Sequence, residues 1–146
     1  MRRPRRSLLT IASLLLFACS AMTAEDRDWR FMQSVGGIAV HPLRRANGKV
    51  SLPVECDVSG ARAITTKPTA LNSGLVVREV RASREGDAIY LVVRTSLPSG
   101  GQRSSCPSVD LVDVPAGRYR VFYGNPPASF GKPAETMRIG EVDAEP

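Results

Sequence analysis

Residues 117–123 alternate between apolar and polar side chains with a period of two, which an amphipathic helix cannot satisfy. Successive side chains of a β-strand point to opposite faces, so Tyr119, Val121 and Tyr123 are predicted to share one buried face. Similar short runs recur along the chain, and turn-forming residues separate them at short intervals. The pattern predicts an all-β domain.

Two runs rich in β-branched residues, 75–82 and 88–95, are separated by the turn-forming stretch 83–87. This arrangement predicts one antiparallel hairpin. In the second run Ile89, Leu91 and Val93 fall on one face and are expected in the core.

Shorter segments complete the expected sheet structure. Strands are predicted at 38–40, 50–56 and 137–142, with Pro53 placing the second at a sheet edge or a bulge. Residues 25–33 suit either a short helical turn or a first strand.

The first 24 residues have the pattern of an export signal. Four arginines precede an apolar run, residues 8–18, of about half the length that a membrane-spanning helix needs. The twin Arg5-Arg6 partly matches the twin-arginine export motif, so both that route and the general secretory route stay open. The remaining residues, 25–146, are expected to form a single domain.

Two fates of the signal remain open. Cleavage after Ala21 or Ala24 would release a soluble protein. Alternatively, residues 16–19 resemble a lipobox, in which case residues 1–18 are removed and Cys19 carries a lipid anchor. Periplasm and outer membrane are the two predicted locations, and a membrane is contacted only through that anchor.

Cys56 and Cys106 remain as a pair in the mature chain, whichever fate Cys19 meets. An even pair in an exported protein predicts a disulfide. Two distant cysteines and a single histidine do not provide the ligand spacing of a zinc site, so no metal site is predicted.

Most of the net positive charge of the chain comes from the predicted signal. Its formal net charge of +6 falls to +2 when residues 1–24, with four arginines and no acidic residue, are removed. The remaining basic residues are dispersed among acidic ones, which does not favour a nucleic-acid partner.

No group of residues forms a recognisable catalytic motif. His41 is the only histidine and is predicted to be a surface residue, and no nucleophile elbow surrounds any serine. Asp110 and Asp113 are expected on opposite faces as solvated turn charges. The acidic cluster at 25–28 is expected to be a solvated tail. No catalytic residue and no cofactor are predicted, and the chain is not expected to be an enzyme.

Residues 74–124, with a strand pair followed by Val-Pro-Ala-Gly-Arg-Tyr-Arg-Val, resemble the late strands of small immunoglobulin-like domains of secreted bacterial proteins. The resemblance implies a single immunoglobulin-like antiparallel β-sandwich, here with one disulfide. It also implies a tyrosine corner at Tyr119, whose hydroxyl bonds backbone a few residues upstream.

Three functions fit these expectations. The first is a non-catalytic binding or accessory module of the cell envelope, whose partner is a protein or envelope component. The second is an inhibitor or immunity-type protein acting on an envelope enzyme through a loop such as 99–105 or 124–133. The third is a small envelope hydrolase. The sequence leaves the oligomeric state open.

Overall fold

The computed structural model describes residues 23–126 and 136–145, which form ten strands and one short helix. The strands are β1 (Glu25–Asp26), β2 (Ile38–Val40), β3 (Arg44–Ala46), β4 (Lys49–Leu52), β5 (Val54–Cys56), β6 (Val76–Glu85), β7 (Ala88–Ser96), β8 (Val109–Leu111), β9 (Gly117–Tyr123) and β10 (Met137–Ala144). The helix is α1 (Trp29–Ser34). The prediction that the chain is mostly β is confirmed.

The main sheet is built around β7. On one edge β7 pairs antiparallel with β6 along its length, and this confirms the predicted hairpin. β6 extends to Glu85 into the predicted turn, which shrinks to Gly86 and Asp87, and β7 begins at Ala88 as predicted. On the other edge β7 pairs first with β9 and then with β1, and β10 pairs with β9.

The pairing of β7 with β9 is parallel, which corrects the prediction of a wholly antiparallel fold. Between these strands the chain crosses to β8, which pairs with β4 in another sheet. It then returns and enters β9 in the same direction as β7. An alternating pattern reports which face is buried and carries no information about strand direction, so the sequence could not reveal this pair.

Two smaller sheets cover one face of the main sheet. They consist of β2 with β5 and of β3, β4 and β8, and Pro53 separates β4 from β5. One buried cluster joins side chains from all three sheets. It contains the predicted inward faces of β7 and β9, with Ile89, Leu91, Val93 and Val121 at 0% exposure.

The helix α1 follows β1, so residues 25–33 contain both of the elements that the sequence left open. The Asp28 side chain caps the helix by accepting a hydrogen bond from the Phe31 amide at 2.8 Å. Gly36 and Gly37, both with positive φ, follow the helix and turn the chain into β2.

The predicted disulfide joins Cys56, at the end of β5, to Cys106, with their Cα atoms 5.2 Å apart. Such a bond indicates an oxidising compartment of the kind that export reaches. Among the described residues, no helix is long and apolar enough to cross a membrane. The predicted signal up to Met22, including Cys19, lies outside the described residues.

Candidate functional site

The first candidate site is a cavity at the point where the strand paired with one edge of β7 changes from β9 to β1. The parallel pairing with β9 ends at Leu91, and pairing with β1 begins at Arg94. Val92 and Val93 therefore lie between the end of one neighbouring strand and the start of the other. The cavity has a volume of about 440 Å³, and β1, α1, β7 and the facing ends of β9 and β10 line it.

The Tyr123 hydroxyl lies at this change of strand. It accepts a hydrogen bond from the Val93 amide at 3.1 Å and donates one to the Arg27 carbonyl at 2.9 Å. Burial raises the pKa of the Tyr123 phenol, so the group stays protonated and able to donate. The Trp29 ring packs beside it at a tilt, with the two ring centroids 5.6 Å apart.

Most charged side chains around the cavity form ion pairs or hydrogen bonds with other residues. Arg27 donates to the Thr95 hydroxyl at 2.9 Å and lies 3.1 Å from the Glu25 carboxylate. Asp26 forms ion pairs with Arg81 and Arg94. The acidic residues at 25–28 are exposed as predicted, but they do not form a tail, because β1 pairs with β7 and brings Asp26 beside two arginines.

The second candidate site is the loop of residues 59–74, hereafter the Ω-loop, which leaves the core beside the disulfide and returns to the same place. Its ends meet where the Asn72 amide donates to the Ser59 carbonyl and the Ser73 hydroxyl to the Val58 carbonyl. Compact surface loops of this length with adjoining ends frequently carry function.

Backbone hydrogen bonds fasten the Ω-loop to the end of α1. The Gly36 carbonyl accepts from the amides of Ile64, Thr65 and Thr66 at 2.9, 2.9 and 3.2 Å. The Ser34 carbonyl accepts two more, from residues 69 and 70, at 2.8 Å each. Five backbone bonds thus hold the loop, and the Thr66 and Thr69 hydroxyls add bonds to the Gln33 and Ser34 carbonyls.

Glycines make this close approach sterically possible. A Cβ on Gly36 would collide with the Arg62 carbonyl, and one on Gly60 would collide with the Ala70 carbonyl. Both glycines also have a positive φ, which other residues rarely adopt.

Asp57 stabilises the start of the Ω-loop. Its carboxylate accepts hydrogen bonds from the Ser59 amide at 3.0 Å and the Ser59 hydroxyl at 2.7 Å. Burial acts to raise the pKa of Asp57, but hydrogen bonds from Ser59, Ser104 and the Arg62 backbone together outweigh it and hold the pKa below its usual value.

The Ω-loop presents several side chains to solvent. Leu71 is 70% exposed, and Thr65, Lys67 and Thr69 are also exposed. The loop therefore combines an apolar residue and a cation on a rigid frame.

The predicted surface histidine forms a bridge to the same loop. His41 Nε2 lies 3.2 Å from a Glu55 carboxylate oxygen, and the other oxygen of Glu55 pairs with Arg62 of the Ω-loop. Hydrogen bonds from His41 and Arg62 lower the pKa of Glu55. The His41 side chain is about half exposed, at 49%.

The other predicted residues lie apart from both sites. The Tyr119 hydroxyl donates to the Pro115 carbonyl at 2.9 Å, a few residues upstream. Asp110 lies on β8 and Asp113 in the turn that follows, both exposed. Among the described residues, no cluster of three metal-ligating side chains occurs.

The predicted recognition loops have different outcomes. Residues 99–105 are largely exposed, and Ser99 and Gln102 hydrogen-bond to each other there. Of the predicted loop 124–133, residues 127–133 lie outside the described part of the chain. The Ω-loop was missed, although a stretch without alternation between 57 and 75 and the Gly36-Gly37 pair were available signals.

No protein-family model matches this chain. A search of the curated proteins found no match, and neither did a search of the solved structures.

Proposed function

We propose that this chain is an exported binding or accessory module of the bacterial cell envelope, and that it acts without catalysis through its Ω-loop. The observation that carries the proposal is the fixed loop backbone, tied to Gly36 and Ser34 by five amide hydrogen bonds. A loop already held in one conformation loses little entropy when a partner binds, so more of the contact energy appears as affinity.

The exposed side chains of the Ω-loop suggest a protein partner. Leu71 would enter an apolar recess, and Lys67 would face an acidic group nearby. The small net charge of the predicted mature chain, +2, argues for local contacts rather than for long-range attraction to a polyanion.

We place the protein in the periplasm or, through a lipid on Cys19, at the outer membrane. Arg94 donates to the Ala24 carbonyl at 3.0 Å. Cleavage after Ala21 or lipidation of Cys19 retains this bond, and cleavage after Ala24 removes it. The intact mass of the protein recovered from envelopes distinguishes the three forms.

The test of the binding function compares two exposed apolar positions. Leu71→Asp places a charge on the Ω-loop, and Val112→Asp places one on the turn after β8, where Val112 is 80% exposed. In cells that produce the protein, cross-linking should capture a stoichiometric partner with the wild type and with Val112→Asp, and lose it with Leu71→Asp. Equal capture by both variants would reject the Ω-loop as the binding surface.

The inhibitor or immunity function is the second candidate. It is favoured by the position of the disulfide, since Cys56 lies three residues before the Ω-loop and braces its base. A braced, exposed loop resists distortion when it is pressed into an enzyme cleft. Mixing the chain with a captured partner enzyme should then abolish that enzyme's activity, whereas a simple accessory module would leave it unchanged.

We also propose that the fold is an immunoglobulin-like sandwich. Its support is the bond from Tyr119 to Pro115, together with a core shared between the main sheet and the two smaller ones. An experimental structure of the mature chain, compared strand by strand with such domains, tests this assignment.

A further inference from the structure

We propose that the cavity beside Trp29 binds a small anionic molecule that carries a planar ring. This site is lined by β1 and α1, whereas the Ω-loop is fastened to the end of α1, and the site does not depend on the function proposed for that loop. Three features of the described residues support it.

The first feature is the shape and lining of the cavity. Its volume of about 440 Å³ falls within the range of small-molecule sites. Trp29 and Tyr123 provide aromatic surface, and Val92 and Met137 provide aliphatic surface, with Met137 46% exposed. Such walls favour a flat ring that can lie against an aromatic side chain.

The second feature is one uncommitted cation. Among the charged side chains that line the cavity, Arg27 and Asp26 have ion-pair partners, and Asp28 caps α1. Arg30 has no ion pair or hydrogen bond within the described residues. A guanidinium binds a carboxylate or sulfonate through two parallel hydrogen bonds, so Arg30 selects an anionic ligand.

The local charge balance allows an anion to approach. The carboxylates of Glu25 and Asp26 are neutralised by Arg27, Arg81 and Arg94. Glu79 also pairs with Arg94, so with Arg30 and Asp28 included the region holds four arginines and four carboxylates, and Arg30 is the arginine without an ion pair among the described residues.

The third feature is an unpaired donor. The Trp29 indole Nε1 is buried and has no hydrogen-bond partner among the described residues. Buried indole N–H groups usually have an acceptor. The Nε1 atom has almost no solvent-accessible surface in this structure, so a ligand oxygen would reach it only after the indole ring turns toward the cavity.

The experiment uses three probes of similar size that differ in charge: phenylacetate, phenylacetamide and phenethylamine. Trp29 is the only tryptophan in the chain, so its fluorescence and its indole N–H resonance report binding at this cavity. For the exported, disulfide-bonded protein at low salt, we expect phenylacetate to bind saturably and about tenfold more tightly than phenethylamine, with phenylacetamide in between.

A charge-neutral variant tests the role of Arg30. Arg30→Gln should reduce phenylacetate affinity to that of phenylacetamide and leave phenylacetamide binding unchanged. Arg103→Gln, at an exposed position in the loop after β7, is the matched control and should bind phenylacetate as the wild type does. Equal affinities for the three probes, or no saturable change at Trp29, would overturn the proposal, including the case in which another part of this chain occupies the cavity.

The two proposals fail independently. Leu71→Asp should leave phenylacetate binding intact, and Arg30→Gln should leave partner capture intact. A variant that lost both would show that the two surfaces form one site, which contradicts the separate cavity proposed here.

Discussion

The Ω-loop and the cavity, which both adjoin α1, are built by different means. The Ω-loop is held by main-chain amides that converge on the Gly36 and Ser34 carbonyls. The cavity is shaped by side chains, with the Tyr123 hydroxyl accepting the bond of the Val93 amide while the Arg27 amide serves the Val93 carbonyl. A surface built from backbone tolerates changes in most of its side chains and fails when backbone geometry changes. A surface built from side chains responds to the loss of a single polar atom.

The largest expected effect is the loss of the disulfide, which should weaken the Ω-loop more than the cavity. Replacing Cys56 and Cys106 by serine removes a link across a sequence separation of 50 residues and should reduce the free energy of unfolding by about 4 kcal/mol. Chemical denaturation measures the loss in the free energy of unfolding. As denaturant is added, hydrogen exchange at the amides of residues 64–66 should accelerate at a lower concentration than the one at which the Trp29 fluorescence changes. Cys19→Ser is the control and should unfold as the wild type does.

Backbone geometry is tested at the two ends of the Ω-loop. Gly60 and Gly74 have similar positive φ values, 74° and 68°, but only Gly60 has a carbonyl where a Cβ would lie. Gly60→Ala should therefore cost about 3 kcal/mol, and Gly74→Ala about 1 kcal/mol. Equal costs in thermal denaturation would mean that the close approach to Ala70 does not constrain the loop.

The side-chain character of the cavity is tested with two tyrosines. Tyr123→Phe removes a buried hydroxyl with two backbone partners and should cost about 2 kcal/mol, because the Val93 amide loses its acceptor. Tyr119→Phe removes a single bond to Pro115 and should cost about 1 kcal/mol. A smaller loss for Tyr123→Phe than for Tyr119→Phe would show that the hydroxyl does not join the Val93 amide to the Arg27 carbonyl.

The smallest expected effect is the response of the Ω-loop to acid. The pKa of Asp57 is lowered by folding, so its contribution is present above the ordinary aspartate pKa and is lost as the pH falls through the folded value. Between pH 6 and pH 3 the wild type should lose more stability than Asp57→Asn, by less than about 1 kcal/mol because pH 3 lies only just below the ordinary aspartate pKa. Urea denaturation at both pH values measures this difference, and parallel pH profiles would argue against it.

The sequence predicted the elements that depend on the identity of their side chains. Alternation located the inward faces of β7 and β9, and the pairing of cysteines followed from their number. The Ω-loop escaped prediction because carbonyl and amide groups form its bonds, and every residue has them. The cavity escaped because it depends on where β9 ends relative to β1, which are about 90 residues apart in the chain. The alternation of apolar and polar residues does not depend on strand direction, so the sequence could not predict the parallel pair.

The late completion of the main sheet has a consequence for secretion. β1 lies at the start of the predicted mature chain, yet its partners, Arg94 and Thr95, lie about 70 residues later. If the chain emerges from the export channel N-terminus first, β1 remains unpaired until that distant segment has left the channel. During this interval the residues around Ala24 remain accessible to a processing enzyme, and removal of the signal can precede closure of the fold.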